Sequence, residues 1–257
     1  MGKSSVQTGS FLNIGKRKLQ EDCCMVSPSE KFFLEDGARF IGAVADGMGG
    51  LKNGLISAER VIQRLYDDFE EVKDQKNTDF SKFFQEEVYV LNNMVYAMSR
   101  QEETGTTLSA AIIENNKMHM VSVGDSRIYL LRGGTLYLLT REHNFKLVLK
   151  KALLNGRITR QAYDDTQQKD ALIGYLGLKD LRYVDITEEG FLLESGDVIL
   201  LCTDGLTKTV KEREIEEILN SEKEDIMKAA ETLGLFTLSK ERKNQDNEAI
   251  VLMKYSE

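Results

Sequence analysis

Sulfur and imidazole side chains are scarce in this sequence of 257 residues, which contains three cysteines and two histidines. Cys23 and Cys24 are adjacent and Cys202 is far from both, so the cysteines do not form the even, spaced set of a disulfide framework. All three lie in apolar segments, where cysteine usually packs as a small hydrophobic side chain. His119 and His143 form no cluster with them that would bind zinc. We therefore expect buried thiols and no zinc site.

The sequence also lacks long apolar segments. None approaches the roughly 20 residues that a membrane-spanning helix requires, and the N-terminal segment MGKSSVQTGS lacks the apolar core of a signal peptide. The formal net charge of −8 argues against nucleic acid or an anionic membrane as the main partner. Together with the unpaired cysteines, these features predict a soluble protein of the reducing cytoplasm.

Hydrophobic periodicity predicts mixed secondary structure. Apolar residues recur every three to four positions at 54–72 and 79–100, which predicts amphipathic helices, and further helices are expected at about 212–219 and 223–238. Strands are expected at the remaining apolar segments, which are 23–26, 41–45, 107–113, 118–123, 127–131, 135–139, 184–186, 191–193, 198–203 and 249–253. The only proline, Pro28, is expected in a turn.

The order of these elements predicts an α+β fold. Turns that contain glycine or asparagine separate the strands between 107 and 139, which predicts a meander of antiparallel hairpins. Consecutive apolar residues at 41–45 and 198–203 indicate strands that are buried on both faces. We expect two packed, mainly antiparallel sheets with helices on their outer faces, in a single domain over residues 1–257. A charged insertion at about 143–180 is expected to form a solvated helix or a mobile flap.

Acidic residues stand where predicted strands begin or end, at Glu21, Asp22, Asp46, Asp125, Asp204 and Asp246. Taken alone, the Asp-Gly pairs that begin at Asp46 and Asp204 are ordinary turn sequences. Several carboxylates at one end of a sheet, however, repel one another unless a cation lies among them. Oxygen ligands without nitrogen or sulfur favour Mg²⁺ or Mn²⁺. Two such ions can lower the pKa of a shared water for attack on phosphorus.

Arg17 is the nearest candidate for contact with a phosphate. Phosphoryl transfer needs positive charge against the non-bridging oxygens, and Arg17 lies five residues before Asp22. The same arginine, within Lys16-Arg17-Lys18, also fits a solvated basic loop. The residues alone leave both interpretations open.

In this order, the motifs resemble those of the type-2C metal-dependent protein serine/threonine phosphatases of the bacterial type. The resemblance covers residues 15–253 and rests on Arg17-x-x-x-Glu21-Asp22, Ala45-Asp46-Gly47-Met48-Gly49-Gly50, Gly105-Thr106-Thr107, Gly124-Asp125-Ser126-Arg127, Thr203-Asp204-Gly205 and Asp246-Asn247. It implies a four-layer α/β/β/α sandwich. It also implies hydrolysis of phosphoserine and phosphothreonine in proteins by a hydroxide that bridges two Mn²⁺ or Mg²⁺ ions.

The resemblance assigns metal ligands by position. Asp46 would bridge the two ions, and the carbonyl of Gly47 would help to bind one of them. Asp204 and Asp246 would hold one ion, and Glu21 would help to hold the other, directly or through water.

Further roles follow from the same resemblance. Asp22 would support the cluster from behind or through water, Asp125 would help to bind a third, weaker ion, and Arg17 would grip the substrate phosphate. The implied partners are phosphorylated proteins, in opposition to a serine/threonine kinase, and the chain is expected to act as a monomer. The insertion at 143–180 falls where bacterial-type members carry a flap that bears on substrate choice.

The sequence departs from the family pattern at three places. Met48 replaces a histidine that acts as proton donor in some members, Glu142-His143 replaces an Asp-His pair, and Ala249 replaces a hydroxyl residue. None of these changes removes an expected metal ligand, so we expect activity, with metal-bound water as the proton donor. Two other functions stay open, a catalytically silent module that binds a phosphoprotein or regulator, and a structural calcium-binding domain.

Overall fold

The computed structural model describes residues 5–27, 32–33, 39–48, 53–100 and 104–257. The strands are β1 (Ser5–Asn13), β2 (Asp22–Ser27), β3 (Phe32–Phe33), β4 (Arg39–Met48), β5 (Gly105–Thr106), β6 (Leu108–Glu114), β7 (Lys117–Val123), β8 (Arg127–Arg132), β9 (Thr135–Leu138), β10 (Asp185–Ile186), β11 (Phe191–Leu192), β12 (Val198–Cys202) and β13 (Glu248–Ser256). The helices are α1 (Asn53–Val72), α2 (Phe80–Ser99), α3 (Phe145–Leu154), α4 (Arg160–Asp165), α5 (Asp204–Thr207), α6 (Glu212–Glu222) and α7 (Ile226–Ser239). The predicted turn at Pro28 and the glycines Gly49 and Gly50 lie outside the described residues.

The strands form two sheets. One has six strands in the order β3-β1-β13-β12-β8-β9, and the other has the order β10-β7-β6-β4-β2, with β11 paired to β7 and β5 paired to β4. The described pairings are antiparallel. None of the described helices is both long enough and apolar enough to cross a bilayer.

Three hydrophobic clusters separate four layers. On β4, Ile41 and Ala43 pack with α1 and α2, while Phe40 and Val44 face the second sheet. On β13, Val251 belongs to the cluster between the sheets, whereas its neighbours Ile250 and Leu252 pack with α6 and α7. The alternation follows from the strand period of two. The predicted α/β/β/α sandwich is confirmed, and burial on both faces explains the consecutive apolar residues without parallel pairing.

The predicted meander is wrong at the Gly124-Asp125 turn. β6 and β7 form a hairpin, as do β8 and β9, but β8 pairs with β12 in the other sheet. The chain crosses between the sheets at Gly124, whose φ of 113° favours glycine. Hairpins and crossovers have the same local strand pattern, so the pattern could not distinguish them. The crossover places Asp125 at one end of the sandwich, beside the ends of strands from both sheets.

The structure also defines the first strand, β1, and the helices of the insertion. Sequence periodicity did not predict β1, which pairs with β13 from Ser5↔Ser256 to Asn13↔Glu248. The insertion contains α3 and the short helix α4, followed by chain without helix or strand up to β10. No residue of α4 is buried, in agreement with the solvated helix expected there.

Candidate metal centre

Strand ends bring the predicted site residues to one end of the sandwich. Asp46, near the end of β4, pairs with Asp22 at the start of β2. Asp204 follows β12 and Asp246 precedes β13, so the antiparallel pairing of these two strands brings both acids to the same edge. Asp125 reaches this edge from the connection between β7 and β8. Carboxylates that are distant in sequence therefore meet here.

An open cleft of about 400 Å³ lies at this end. Every predicted site residue except Asp22 lines it, namely Arg17, Glu21, Asp46, Gly47, Asp125, Asp204 and Asp246. Carboxylate oxygens of Asp46, Asp125 and Asp204 lie within 4.8 Å of one another. Met48 also lines the cleft and has no proton to donate. The carboxylate spacing suits a divalent cation bound by several oxygens.

Asp22 lies behind the cleft. It is 2% exposed, and its Oδ2 accepts a hydrogen bond of 2.7 Å from the hydroxyl of Thr203. The Thr203 hydroxyl oxygen in turn accepts a hydrogen bond of 2.9 Å from the backbone N–H of Ala249. Burial, opposed in part by the Thr203 hydrogen bond, raises the pKa of the Asp22 carboxyl to about 7. Thr203 therefore joins β12 and β13 to the acid on β2.

Burial and neighbouring negative charges raise the pKa values of three carboxylates in the cleft, Asp46, Asp125 and Asp204. Burial, and then the neighbouring Asp22, raise the pKa of Asp46 well above its ordinary value. Burial, and then Asp204, raise the pKa of Asp125 to about 7. Burial also raises the pKa of Asp204. Burial raises these pKa values because it removes water from the charged form, and the neighbouring carboxylates raise them because like charges repel one another. A bound cation would offset that repulsion.

Glu21 supplies an oxygen that the protein leaves without a partner. Its Oε1 is buried and accepts no hydrogen bond from the described residues, and burial raises the pKa of this carboxyl. Such an orphaned acceptor is costly unless a cation or water satisfies it. With Asp46, Asp204 and Asp246, it forms a donor set of oxygens alone. These residues fit hard divalent cations such as Mg²⁺ or Mn²⁺.

At Gly47 the backbone lies so close to Gly54 and Glu21 that no side chain fits. A Cβ at this position would lie 2.2 Å from the carbonyl oxygen of Gly54 at the start of α1, and 2.7 Å from the carbonyl oxygen of Glu21. The backbone N–H of Gly47 donates to the same Glu21 carbonyl at 3.0 Å. The glycine therefore lets α1 and the loop before β2 close on the end of β4.

Among the described residues, two cations line the cleft, Arg17 and Lys208, and the sequence analysis predicted only Arg17. Arg17 makes a two-pronged ion pair with Asp246, through Nε at 2.8 Å and Nη2 at 2.9 Å. Lys208 makes an ion pair with Asp204, and its Nζ lies 3.5 Å from Asp246. Burial lowers the pKa of Lys208, but Asp204 outweighs this effect and the net shift is upward. The spacing of four residues after Asp204 is the only sequence signal that could have indicated Lys208.

The side chains of Asn247 and Thr107 bind the backbone of segments that carry site residues. The sequence analysis assigned a role to neither residue. The side-chain N–H groups of Asn247 donate to the carbonyls of Ile14 and Leu19 at 2.9 and 3.0 Å, and its oxygen accepts from the N–H of Glu21 at 2.8 Å. The Thr107 hydroxyl accepts a hydrogen bond of 2.9 Å from the N–H of Asp46. Asn247 thus fixes the loop that carries Arg17 and Glu21.

The insertion reaches the cleft through Asp170 and Leu172. The fully buried His143 anchors the insertion. The backbone carbonyl of His143 accepts hydrogen bonds from the N–H groups of Ile173 and Gly174 at 2.9 and 3.1 Å. The ring Nδ1 of His143 accepts a hydrogen bond of 3.2 Å from the N–H of Gly124. The insertion is therefore tied to the turn that carries Asp125.

Two other titratable residues, Glu142 and His119, have structural contacts. Glu142 makes an ion pair with Arg127, and Nδ1 of His119 lies 2.9 Å from the hydroxyl of Ser81. This buried contact gives His119 a structural role. The described cysteines are free. Cys202 is buried as expected, but Cys23 and Cys24 are only partly buried, so the expectation of buried thiols is wrong for these two.

Comparison with known proteins identifies relatives over most of the chain. The family model for protein phosphatase 2C matches residues 20–233. The serine/threonine phosphatase stp of Listeria welshimeri is 34% identical over 185 residues, which are 70% of this chain and 71% of that protein. The protein phosphatase PhpP of Streptococcus pneumoniae is 29% identical over 228 residues, which are 88% and 89% of the two chains.

Solved structures agree in fold. The serine/threonine phosphatase of S. agalactiae superposes with a TM-score of 0.81 at 25% identity, and the match covers 98% of this chain and 100% of that one. The catalytic domain of the phosphatase PstP in complex with two manganese ions gives a TM-score of 0.75 at 26% identity, with 99% and 100% covered. The chain belongs to the protein phosphatase 2C family, and it is a protein phosphatase of that family.

Proposed function

We propose that the chain hydrolyses phosphoserine and phosphothreonine in proteins with the aid of two Mn²⁺ or Mg²⁺ ions. The observation that carries the proposal is the convergence of Asp46, Asp125 and Asp204, whose oxygens lie within 4.8 Å of one another. The names of the relatives, which are serine/threonine phosphatases, support the substrate class.

The ions would be held by residues that already line the cleft. Asp46 would lie between them, Asp204 and Asp246 would hold one ion, and Glu21 with the carbonyl of Gly47 would hold the other. Asp125 would help to bind a third ion, and Asp22 would support Asp46 from behind. When bound, the two ions would supply an activated water as the nucleophile and positive charge against the phosphate.

The chain itself would supply the grip on the phosphate. The side chain of Arg17 is 56% exposed. It would leave Asp246 and bind two oxygens of the phosphate, because a guanidinium binds carboxylates and phosphates through the same pair of parallel N–H groups. Met48 offers no proton, so the departing serine or threonine oxygen would take its proton from water. Asp22 and Thr203 would keep Asp46 in place during this step.

We further propose that residues 1–257 form one phosphatase domain with a flap at about 143–180, and that it acts as a monomer in the cytoplasm. Its substrates would be phosphorylated proteins made by an opposing serine/threonine kinase. The free cysteines support a reducing compartment, and the contact of Asp170 and Leu172 with the cleft supports a flap that meets the substrate.

Hydrolysis of a phosphothreonine peptide with Mn²⁺ tests the proposal. Asp46→Asn and Asp204→Asn should each reduce kcat/KM by about 100-fold or more, since even supporting residues of metal sites often matter 10- to 100-fold. EDTA should abolish turnover, and Asp67→Asn on the exposed side of α1 should not change it. Activity without metal, or full activity in both cleft variants, would refute the mechanism. Mn²⁺ binding without turnover would favour a silent module, and stabilisation by Ca²⁺ alone would favour a structural calcium domain.

A further inference from the structure

We propose that Lys208 is an internal counter-ion of the carboxylate cluster, which stabilises the metal-free site and competes with the divalent cation for Asp204 and Asp246. The inference concerns metal affinity. It rests on the proposed function only in taking these acids as metal ligands.

The position of Lys208 follows from a single helical turn. The backbone N–H of Lys208 donates to the carbonyl of Asp204 at 2.8 Å, so the two side chains lie on the same face, four residues apart. The ammonium group makes an ion pair with Oδ2 of Asp204 and lies 3.5 Å from Oδ2 of Asp246. One cation thus contacts acids from the ends of both β12 and β13.

The charge balance of the cleft makes this contact important. Among the described residues, two cations line the cleft, Arg17 and Lys208, against six acids, which are Glu21, Asp46, Asp125, Asp170, Asp204 and Asp246. Asp170 already has an ion pair with Lys146. Among the described acids, the Arg17 guanidinium makes an ion pair only with Asp246. Lys208 is therefore the described cation of the cleft that makes an ion pair with Asp204.

A metal and the ammonium would compete for the same two carboxylates. A divalent ion binds Asp204 and Asp246 through their carboxylate oxygens, and Lys208 contacts one oxygen of each. Two positive groups at one pair of acids repel one another strongly at short range, so binding of the metal displaces the ammonium. Metal binding must break the contacts of Lys208, and the free energy of breaking them lowers the apparent affinity for the metal.

Isothermal titration with Mn²⁺ on the full chain tests this inference. Lys208→Met keeps the length of the side chain and removes its charge, and it should bind Mn²⁺ about tenfold more tightly, which corresponds to about 1.4 kcal/mol of lost competition. Lys208→Arg keeps the charge and should stay within about threefold of wild type. The matched control is Lys82→Met, which removes a lysine with the same four-residue spacing to Glu86 on the exposed side of α2.

The outcomes separate the two proposals. If wild type binds no Mn²⁺, the metal assignment fails, and the inference fails with it. If wild type binds Mn²⁺ but Lys208→Met binds no more tightly than Lys82→Met, only the role of Lys208 is refuted, and the proposed function stands.

Thermal unfolding keeps the test decisive if Lys208→Met is too unstable for titration. In EDTA its melting temperature should lie several degrees below that of wild type, because the acids lose their counter-ion. Saturating Mn²⁺ should then stabilise the variant more than it stabilises wild type. An equal or smaller gain in melting temperature would overturn the inference.

Discussion

Thr203→Val should destabilise the metal-free protein strongly although it preserves the shape of the side chain. The fully buried hydroxyl donates to Asp22 at 2.7 Å and accepts from the N–H of Ala249 at 2.9 Å. A hydrogen bond to a charged group contributes about 1.5–3 kcal/mol, and a buried N–H without an acceptor costs about 1–3 kcal/mol. We therefore expect a loss of about 3 kcal/mol or more in the free energy of unfolding at pH 8.

The loss should depend on pH. Because the pKa of Asp22 is raised to about 7, its carboxyl is ionised at pH 8 and neutral at pH 5.5. A neutral acceptor forms a weaker hydrogen bond, so the cost of Thr203→Val should fall by about 1 kcal/mol at the lower pH. Combination with Asp22→Asn should show a similar reduction in a double-mutant cycle.

Urea unfolding in EDTA at both pH values measures these quantities. Thr135→Val, at the exposed start of β9, is the control and should change stability by no more than about 0.5 kcal/mol. A cost below 1 kcal/mol for Thr203→Val at pH 8, or the same cost at both pH values, would refute the assigned contact with an ionised acid.

Three other predictions follow from the same end of the sandwich. Gly47→Ala should lose about 1–3 kcal/mol in urea unfolding, because its Cβ would lie 2.2 Å from the carbonyl of Gly54; wild-type stability would contradict the close approach. In EDTA, melting temperatures should fall as pH rises from about 4 to 7 and then level off, since the pKa values of Asp22 and Asp125 are raised from 3.8 to about 7, so the folded state binds more protons than the unfolded state; a rise over this range would contradict the shifts. Arg17→Met should raise KM for a phosphothreonine peptide about tenfold, and an unchanged KM would exclude a grip on the phosphate.

The strands were predictable where burial alone defines them. The apolar segments at 41–45 and 198–203 lie between a helical layer and a second sheet, so nearly every position is apolar and the pattern is strong. Which residue faces which layer is not visible in such a pattern. Ile41 and Val44 are equally apolar, and only the position of the second sheet separates them.

Long-range pairing limits what sequence patterns predict. β1 was not predicted because its structure depends on β13, with Ser5 opposite Ser256 at the far end of the chain. The Gly124-Asp125 turn resembles a hairpin turn, and only the pairing of β8 with β12 shows that it crosses between sheets. Tertiary pairing overrides local preference in both cases.

The acidic residues of the site were predictable, but their counter-ions were not. Carboxylates at strand ends, with no nitrogen or sulfur ligand nearby, indicate a cation site by their chemistry. The pairing of Arg17 with Asp246 joins residues that are 229 positions apart. Lys208 lies in a short helical turn that only the folded chain reveals. The ion pairs of Arg17 and Lys208 with these acids therefore could not be predicted from the sequence.

Anomalous diffraction at the manganese edge, from crystals grown with Mn²⁺, would locate the metal ions of the cleft. We expect two strong peaks in the cleft, on either side of Asp46, with Asp204 and Asp246 beside one peak and Glu21 beside the other. Lys208 should no longer contact Asp204 in that structure. Absence of a peak among these carboxylates at saturating Mn²⁺, or peaks only elsewhere on the molecule, would show that these residues do not form the metal site.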